Sequence, residues 1–417
     1  MMIKKLFIAA FGSVSVAAIN IITVPILIAA FGIEKYGLLS LILSLTLIVY
    51  VLTNLQPWQA LINFWFKKNV DKTLLVYITF SYELLSCVIG SIIVFLLIYS
   101  NYINLSFIGN EKIYISILLS LSILFNFNSL IVGFNRVNED FKSIAICDFI
   151  RALVRLFGAL LTVKFNGIIF YILFYMLSNF TASLVGFLLL YKNRYEVHRL
   201  NGYKFKCLFV YLKKSYVNGF FNYSIFATLK SIIDLPMQHL DKFFVAYYLG
   251  VYSVGIYDIA KRICQGFGVV INIFNQVFFP SFVKGIMLGK KEYLIKNVYF
   301  YSFIVAFIVS IIGIVFSYNL NKISPFVNVS QNDLLFISTF VIFFLVSSSF
   351  ILVHVLFQAL GYIKYDVIGL IIINTIYLLI LALTINFLEI YSLLLSYIIQ
   401  VILVLSYKSY VIKKGPL

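Results

Sequence analysis

Charged residues are scarce in this sequence, where they make up 11% of 417 positions, against about 25% in soluble domains. Hydrophobic residues account for 63% of the chain, and the mean hydropathy is +1.04. Runs of about 20 apolar residues, long enough to cross a lipid bilayer as a helix, recur along the sequence. The scarcity of charge therefore excludes a soluble protein and predicts an all-α polytopic membrane protein.

Cysteine is scarce too, and the sequence lacks several catalytic motifs. Four cysteines stand far apart, and no two have the spacing of a metal or redox motif. Residues 285–291 come nearest to a nucleotide-binding P-loop, but their spacing is wrong and the final Ser or Thr is missing. No nucleophile has a neighbouring base. We therefore expect a protein that is not an enzyme, binds no metal or cofactor and does not use ATP directly.

Apolar runs predict about 12 transmembrane helices, six in each half of the chain. Residues 1–191 form an N-terminal six-helix bundle, 192–216 a basic cytoplasmic linker, and 217–417 a C-terminal six-helix bundle. The first run is too long for a cleaved signal peptide, so we interpret it as a transmembrane helix. The predicted spans are 5–31, 38–56, 74–100, 112–134, 143–163, 167–191, 217–249, 256–278, 293–318, 331–357, 365–387 and 390–412.

The two halves resemble each other in sequence. Residues 31–37 (FGIEKYG) have a near-copy in residues 249–255 (LGVYSVG), in which Gly32 matches Gly250 and Gly37 matches Gly255. Both pairs have an offset of 218 (250 − 32 and 255 − 37). The same shift carries the first six span starts to within about six residues of the second six, inside the usual boundary error. We predict two parallel six-helix pseudo-repeats around a central cavity.

The basic residues indicate the orientation in the membrane, because Lys and Arg accumulate in cytoplasmic loops. With the N-terminus inside, 22 basic residues fall in inner loops and ends and only 4 in outer loops. This distribution predicts that both termini are cytoplasmic. The linker 192–216 carries seven of the inner basic residues, and we expect it to contact anionic lipid headgroups.

Ten charged residues fall inside three predicted spans, the fifth, seventh and eighth. A charge within lipid is costly, so such groups face a partner or a water-filled cavity. One interpretation is a set of internal ion pairs, Asp148 with Arg151, Lys230 with Asp234, and Asp258 with Arg262. The other is that the charged residues of each span lie along one face of its helix, as a polar stripe, and that the three stripes converge on one lumen. The six basic and four acidic residues of that lumen favour an anionic substrate. The ten are Asp148, Arg151, Arg155, Lys230, Asp234, Asp241, Lys242, Asp258, Lys261 and Arg262.

We favour the shared lumen and assign roles accordingly. Substrate contacts are predicted for Arg151, Arg155, Lys230, Lys242 and Arg262, and ion coupling or charge pairing for Asp148, Asp234, Asp241 and Asp258. Two prolines inside predicted spans, Pro25 and Pro236, are candidate hinges because proline removes a helical hydrogen bond. Three isolated titratable residues either carry a coupling proton or serve the structure, namely Glu83, His239 and His354.

Two segments carry a resemblance to a known family. Residues 24–37 (VPILIAAFGIEKYG) resemble the first-helix signature of Wzx-type polysaccharide-biosynthesis flippases. Asp241-Lys242, the following Gly250 and residues 254–260 (VGIYDIA) are similar to the seventh-helix region of that family, although Lys242 stands where Arg is common. The layout also resembles the wider multidrug/oligosaccharidyl-lipid/polysaccharide exporter superfamily.

The resemblance implies a flippase of the bacterial inner membrane. Its substrate would be an undecaprenyl-pyrophosphate-linked oligosaccharide, such as an O-antigen repeat unit of lipopolysaccharide, moved by alternating access and coupled to H⁺ or Na⁺. Membrane lipids and other surface-glycan assembly proteins are the expected partners, and nucleic acid is not. A cation-coupled multidrug exporter and a peptidoglycan lipid-precursor flippase share this architecture. A glycan polymerase or ligase is a remote alternative, because such enzymes need a large outer loop and no outer loop here exceeds roughly 15 residues.

Overall fold

The computed structural model describes residues 2–65, 70–100, 111–138, 140–165, 167–192, 215–289, 291–327 and 329–414. Within these ranges the regular structure is helical and no β-strand occurs, so the predicted all-α class is confirmed. The helices of the first half are α1 (Met2–Thr53), α2 (Pro57–Trp65), α3 (Lys72–Tyr99), α4 (Lys112–Leu124), α5 (Asn128–Val137), α6 (Phe141–Phe165) and α7 (Ile168–Lys192).

The second half contains α8 (Ser215–Ile233), a π-helical segment (Pro236–Leu240), α9 (Asp241–Leu249), α10 (Val251–Met287), α11 (Lys291–Val327), α12 (Gln331–Ser348), α13 (Ile351–Ala359), α14 (Ile363–Leu388) and α15 (Tyr391–Lys414). Short polar residues start some of these helices. Asp71 accepts hydrogen bonds from two backbone N–H groups of α3, and Ser330 accepts one from Asp333 at the start of α12.

Eight helical segments of the described residues are long and apolar enough to cross a membrane. They make the chain a multi-pass membrane protein. The helix α1 alone covers the first two predicted spans, and the fourth and tenth predicted spans are each interrupted, the fourth between α4 and α5 and the tenth between α12 and α13. The count of about twelve spans stays a prediction.

The break inside α1 falls at Gly32, where φ is 82° and ψ is 168°. The break between α9 and α10 falls at Gly250, where φ is 83° and ψ is 174°. Such dihedral angles are open to glycine and strained for other residues. The glycines matched by sequence therefore have the same unusual backbone conformation, as the predicted pseudo-repeat requires. Pro25 lies within regular helix, and Pro236 begins the π-helical segment.

The chain forms two compact units. Unit 1 comprises Met1–Ile19 and Ile42–Ile232, and unit 2 comprises Asn20–Leu41 and Ile233–Leu417. The middle of α1 thus belongs to unit 2, whereas its two ends belong to unit 1. Most of the predicted linker, residues 193–214, lies outside the described residues, and the division into bundles at 192–216 stays a prediction.

Each unit has its own apolar core. In unit 1, α2, α3 and α5 bury Leu61, Leu75 and Phe134 against one another, with Phe220 of α8 at their side. In unit 2, a core of α10, α11, α13 and α15 residues surrounds Phe357, which is fully buried. These cores fix the helices that carry the polar groups described next.

Candidate substrate-binding site

A cluster of buried ion pairs lies in unit 2, where α9 and α10 fold back on each other about Gly250. Lys242 of α9 and Asp258 of α10 stand eight positions on either side of that glycine (250 − 242 and 258 − 250) and form an ion pair of 2.5 Å. The Lys242 ammonium also donates a hydrogen bond to Ser40 of α1, at 2.9 Å. The backbone break at Gly250 therefore brings together residues that lie far apart along the chain.

Asp258 has two further partners. The Tyr36 hydroxyl donates a hydrogen bond to its Oδ2, and the Arg262 Nε lies 3.3 Å from the same oxygen. Asp258 is 2% exposed, so both of its oxygens are satisfied inside the protein. The predicted pair of Asp258 with Arg262 is present, while the pairing with Lys242 was missed by sequence reasoning.

A second ion pair joins Asp241 to Lys261, with 2.7 Å between Oδ2 and Nζ. The hydroxyl of Tyr257 donates to the same carboxylate at 2.5 Å, and Asp241 is fully buried. Lys261 also donates to the backbone carbonyls of Met237 and Gln238 in the π-helical segment, at 2.7 and 3.0 Å. Asp241 and Lys261 therefore connect α9, α10 and the π-helical segment that begins at Pro236.

These three ion pairs form one group, which we call the cation cluster: Lys242, Lys261, Arg262, Asp241 and Asp258. Three positive charges meet two negative ones, so the cluster has an excess of positive charge. The side chains of Lys242 and Lys261 are 7% and 13% exposed, but that of Arg262 is 32% exposed. Arg262 is therefore the cation of this cluster most accessible to a ligand, and its planar fork can bind phosphate oxygens.

The charged groups of α6 are held within unit 1. Arg151 pairs with Asp148 at 2.8 Å and reaches the Asn128 side chain at 3.2 Å. Arg155 donates to two side chains of α7, Ser178 at 3.0 Å and Asn179 at 3.2 Å, and lies 4.3 Å from the ring centroid of Tyr175. The pairing of Asp148 with Arg151 is the one that the ion-pair interpretation expects.

Two of the remaining predicted residues lie in or after α8. Lys230 belongs to α8, and its side chain is outside the described part of the structure. Asp234 forms the turn between α8 and the π-helical segment. The convergence of the α6, α8 and α10 stripes on one lumen stays a prediction.

Unit 2 also contains a cavity of about 370 Å³. Asp234 lines it, and so does His354, one of the isolated titratable residues. Its walls come from α10, the π-helical segment and α12 to α15. Half of the residues that line it have polar side chains, although most of its surface is apolar. The polar residues lining it are Asp234, Gln238, Ser347, Ser348, His354, Asn374, Tyr397 and Gln400.

Buried polar contacts hold this cavity in shape. The Gln400 amide donates to the Asn374 oxygen at 2.7 Å, and the Asn374 amide donates to the backbone carbonyl of Ile233 at 2.7 Å. The Nδ1 of His354 lies 2.8 Å from the Lys408 ammonium, which pairs with Asp366 at 2.7 Å. Asn374, Gln400 and Lys408 were missed by sequence reasoning, although each is a polar residue inside a predicted span. Lys408 is one of the 22 basic residues that the charge distribution assigns to inner loops and ends, yet it is only 3% exposed.

Glu83 is fully buried in unit 1 and caps the N-terminus of α5. Its two carboxylate oxygens accept hydrogen bonds from the backbone N–H groups of Ser129 and Leu130, at 2.7 and 2.6 Å. Those N–H groups have no acceptor within their own helix, because they belong to its first turn. The contacts of Glu83 are those of a structural residue.

The fold is shared with known membrane transporters. An inward-facing multidrug resistance MATE family transporter of the MOP superfamily is 14% identical, with a TM-score of 0.72 over 97% of this chain and 96% of that one. The lipid II flippase MurJ in an inward closed conformation is 16% identical, with a TM-score of 0.66 over 99% and 88%. A mutant of the Vibrio cholerae MATE transporter VcmN is 12% identical, with a TM-score of 0.61 over 99% and 97%.

No protein of curated function matches the sequence. The profile of the family described as polysaccharide biosynthesis protein matches residues 2–286, which cover α1 to α10 except Met287 and include the whole cation cluster. This stretch is more than half of the chain. The protein is therefore a member of the polysaccharide biosynthesis protein family.

Proposed function

We propose that the protein is a flippase that moves an undecaprenyl-pyrophosphate-linked oligosaccharide, an O-antigen or similar repeat unit, across the bacterial inner membrane. Family membership supports a role in surface-glycan assembly. The fold, shared with MATE transporters and a lipid II flippase, supports transport rather than synthesis. The two pseudo-repeats would rock by alternating access, with both termini in the cytoplasm.

The cation cluster is the observation that carries this proposal. Five ionised side chains inside a membrane protein, three of them buried and two partly buried, are costly to maintain, and such groups mark substrate or ion pathways. The cluster has more cations than carboxylates, which favours an anionic ligand over a cationic drug. A pyrophosphate diester offers several anionic oxygens, and these match the charge and geometry of an arginine fork.

Arg262 is the proposed contact with the pyrophosphate. Its Nε is 3.3 Å from Asp258, a longer separation than the 2.5 Å between Lys242 and the same carboxylate. A phosphate oxygen can therefore take over the Arg262 hydrogen bonds while Lys242 keeps Asp258 neutralised. Lys242 positions this carboxylate, and Asp241 or Asp234 is the proposed site of coupling to H⁺ or Na⁺. Arg151, Arg155 and Lys230 are proposed as further anion contacts.

Complementation tests the proposal. The chain is expressed in a bacterium that lacks its own O-antigen flippase, and surface polysaccharide is scored beside protein level in the membrane. We expect the wild-type chain to restore the polymer. We expect Arg262→Gln to lose at least tenfold, and Lys296→Gln, a change in the predicted cytoplasmic start of α11, to behave like wild type.

Two further readouts separate the alternatives. A multidrug exporter would raise drug resistance in the same cells and leave the surface polymer absent. A flippase for the peptidoglycan precursor would instead restore growth to cells depleted of their lipid II flippase. Either outcome without restored surface polysaccharide would contradict the proposed substrate.

A further inference from the structure

The cavity inside unit 2 is separate from the cation cluster in its chemistry. Among the described residues that line it there is no Lys or Arg, and Lys408, which contacts His354 of the wall, is neutralised by Asp366. A pyrophosphate would lack a cation to pair with there, and burying an unpaired anion is costly. The occupant that fits this wall is therefore a neutral polar group rather than the charged part of the substrate.

Gln400 provides a hydrogen-bond acceptor at the wall of the cavity. It lines the cavity, is 5% exposed, and commits its amide nitrogen to Asn374. Its Oε1 is buried and has no hydrogen-bond partner among the described residues. A buried acceptor without a partner is destabilising, so a ligand that donates a hydrogen bond to it removes this cost.

His354 provides a donor. Its Nδ1 faces the Lys408 ammonium at 2.8 Å, so Nδ1 must accept that hydrogen bond. The ring is then neutral, and its proton is assigned to Nε2, because a second positive charge beside Lys408 would be repelled. The ion pair of Lys408 with Asp366 therefore fixes one tautomer of His354 at the cavity wall.

The rest of the wall combines hydroxyl and amide groups with apolar and aromatic surface. Ser347 and Tyr397 contribute hydroxyls that bond each other, Asn374 contributes an amide that is bonded to Gln400 and Ile233, and Phe344 contributes an aromatic ring. A volume of about 370 Å³ lies within the range of about 300–1,000 Å³ typical of small-molecule sites and is far larger than a bare ion needs. Donors, acceptors and an apolar face together match a sugar ring, which has hydroxyls around its edge and C–H groups on its faces.

We propose that this cavity is a saccharide subsite, which holds one small sugar unit of the oligosaccharide through Gln400, His354 and Asp234. The inference rests on the proposed function and adds to it. The cation cluster binds the pyrophosphate, and the cavity of unit 2 binds part of the glycan. Selection among glycans then depends on which sugar can donate to Gln400 and accept from His354.

Saturation-transfer difference NMR on the purified full-length chain in lipid nanodiscs tests the subsite. The probes are glucose, galactose, mannose and N-acetylglucosamine, each at millimolar concentration. We expect at least one to give a signal that falls at least tenfold in Gln400→Leu, a change of similar size that removes the buried acceptor. Thr162→Val, which alters a buried hydroxyl bonded within α6, is the matched control and should keep the signal.

A second variant fills the cavity without disturbing its polar groups. Gly268 lies in the wall, and a Cβ added there would meet its nearest neighbour, Phe344, at 3.9 Å, an ordinary contact. The Cβ of Gly268→Leu therefore has room, and at equal protein level we expect the variant to abolish the sugar signal and lower surface-glycan export at least fivefold. A sugar signal unchanged by both Gln400→Leu and Gly268→Leu would overturn the subsite.

Other outcomes separate this inference from the proposed function. Restored export with no sugar signal, or normal export by both variants, overturns the subsite and leaves the flippase proposal standing. A sugar signal lost in both variants, from a chain that restores no export, supports the subsite and contradicts the flippase. Binding of ²³Na⁺ that Asp234→Asn and Gln400→Leu abolish, with no sugar signal, would assign the cavity to a cation and overturn the proposal.

Discussion

Ser40 and Asp258 occupy equivalent positions in the two repeats, 218 residues apart (258 − 40), and the same lysine binds both of them. The Lys242 ammonium lies 2.9 Å from the Ser40 hydroxyl and 2.5 Å from the Asp258 carboxylate. The two repeats thus share a local geometry but differ in charge at this point. The second repeat has the Asp258 carboxylate where the first has the Ser40 hydroxyl, and both Lys242 and Arg262 pair with that carboxylate.

The glycines next to this group obey the same symmetry. A Cβ on Gly37 would lie 2.1 Å from the Val251 carbonyl oxygen, and one on Gly255 would lie 2.6 Å from the Ile33 carbonyl oxygen. The two contacts are related by the repeat: adding 218 to Gly37 gives Gly255, and subtracting 218 from Val251 gives Ile33. The backbones cross here in a reciprocal contact that only glycine allows, and this contact sets the position of Ser40 and Asp258.

Removing the shared carboxylate should destabilise the protein strongly. Asp258→Asn leaves Lys242 buried without its ion pair, and breaking a buried pair in this way costs about 3–5 kcal/mol. Thermal unfolding of the purified protein in detergent measures the effect. The double variant Asp258→Asn with Lys242→Met should recover part of the loss, because no uncompensated ammonium remains. Losses that simply add would contradict the coupling of these two residues.

The glycine contact predicts an unequal pair of alanine variants. Gly37→Ala should lower the melting temperature more than Gly32→Ala, because the methyl group added at Gly37 collides with the backbone carbonyl of Val251. Gly32→Ala meets nothing within 4 Å and bears only the strain of its backbone conformation, at φ 82° and ψ 168°, about 1–3 kcal/mol. Gly255→Ala should resemble Gly37→Ala. A Gly37→Ala protein as stable as wild type would show that the backbones do not cross closely.

Glu83 should act on stability and leave ion coupling unchanged. Glu83→Gln replaces one carboxylate oxygen with an NH₂ group that cannot accept from the α5 N–H groups, and a lost hydrogen bond to a charged group costs about 1.5–3 kcal/mol. We expect a lower melting temperature and the same dependence of export on pH and on Na⁺ as the wild type. Altered ion dependence at normal stability would instead make Glu83 a coupling residue.

The proposed anion contacts outside the cation cluster can be tested jointly. Replacing Arg155 and Lys230 by Gln in one variant removes two intramembrane cations, and surface-glycan export should fall at least tenfold. Membrane protein level, measured by immunoblot, is the control. Full export at a normal level would leave Arg155 as a helix-joining residue, held by Ser178 and Asn179, and would remove both residues from the substrate path.

Local features of the sequence were enough to predict the class and the repeat. Apolar runs have the length of a bilayer crossing, and glycines with a special backbone conformation keep their spacing when a segment is duplicated. Gly32 and Gly250 can therefore be matched from the sequence alone. Helical periodicity likewise showed that Asp258 and Arg262 lie one turn apart.

The remaining contacts depend on how helices fold back, which periodicity does not describe. Lys242 contacts Asp258 only because the helix breaks at Gly250. It also contacts Ser40, which belongs to α1 and lies more than 200 positions away in the sequence. Asn374, Gln400 and Lys408 are single polar residues in apolar helices. Their spacing forms no pattern, and only packing in three dimensions reveals the cavity that they surround.

Reconstituted transport tests the central claim most directly. Purified protein in proteoliposomes is given an undecaprenyl-pyrophosphate-linked oligosaccharide, and the fraction that reaches the opposite leaflet is followed with a membrane-impermeant lectin. The wild type should flip the lipid, and Arg262→Gln should be slower by roughly 10- to 150-fold, the effect of about 1.5–3 kcal/mol for one charge-assisted hydrogen bond. A wild-type rate in Arg262→Gln would contradict the assignment of the cation cluster to the pyrophosphate.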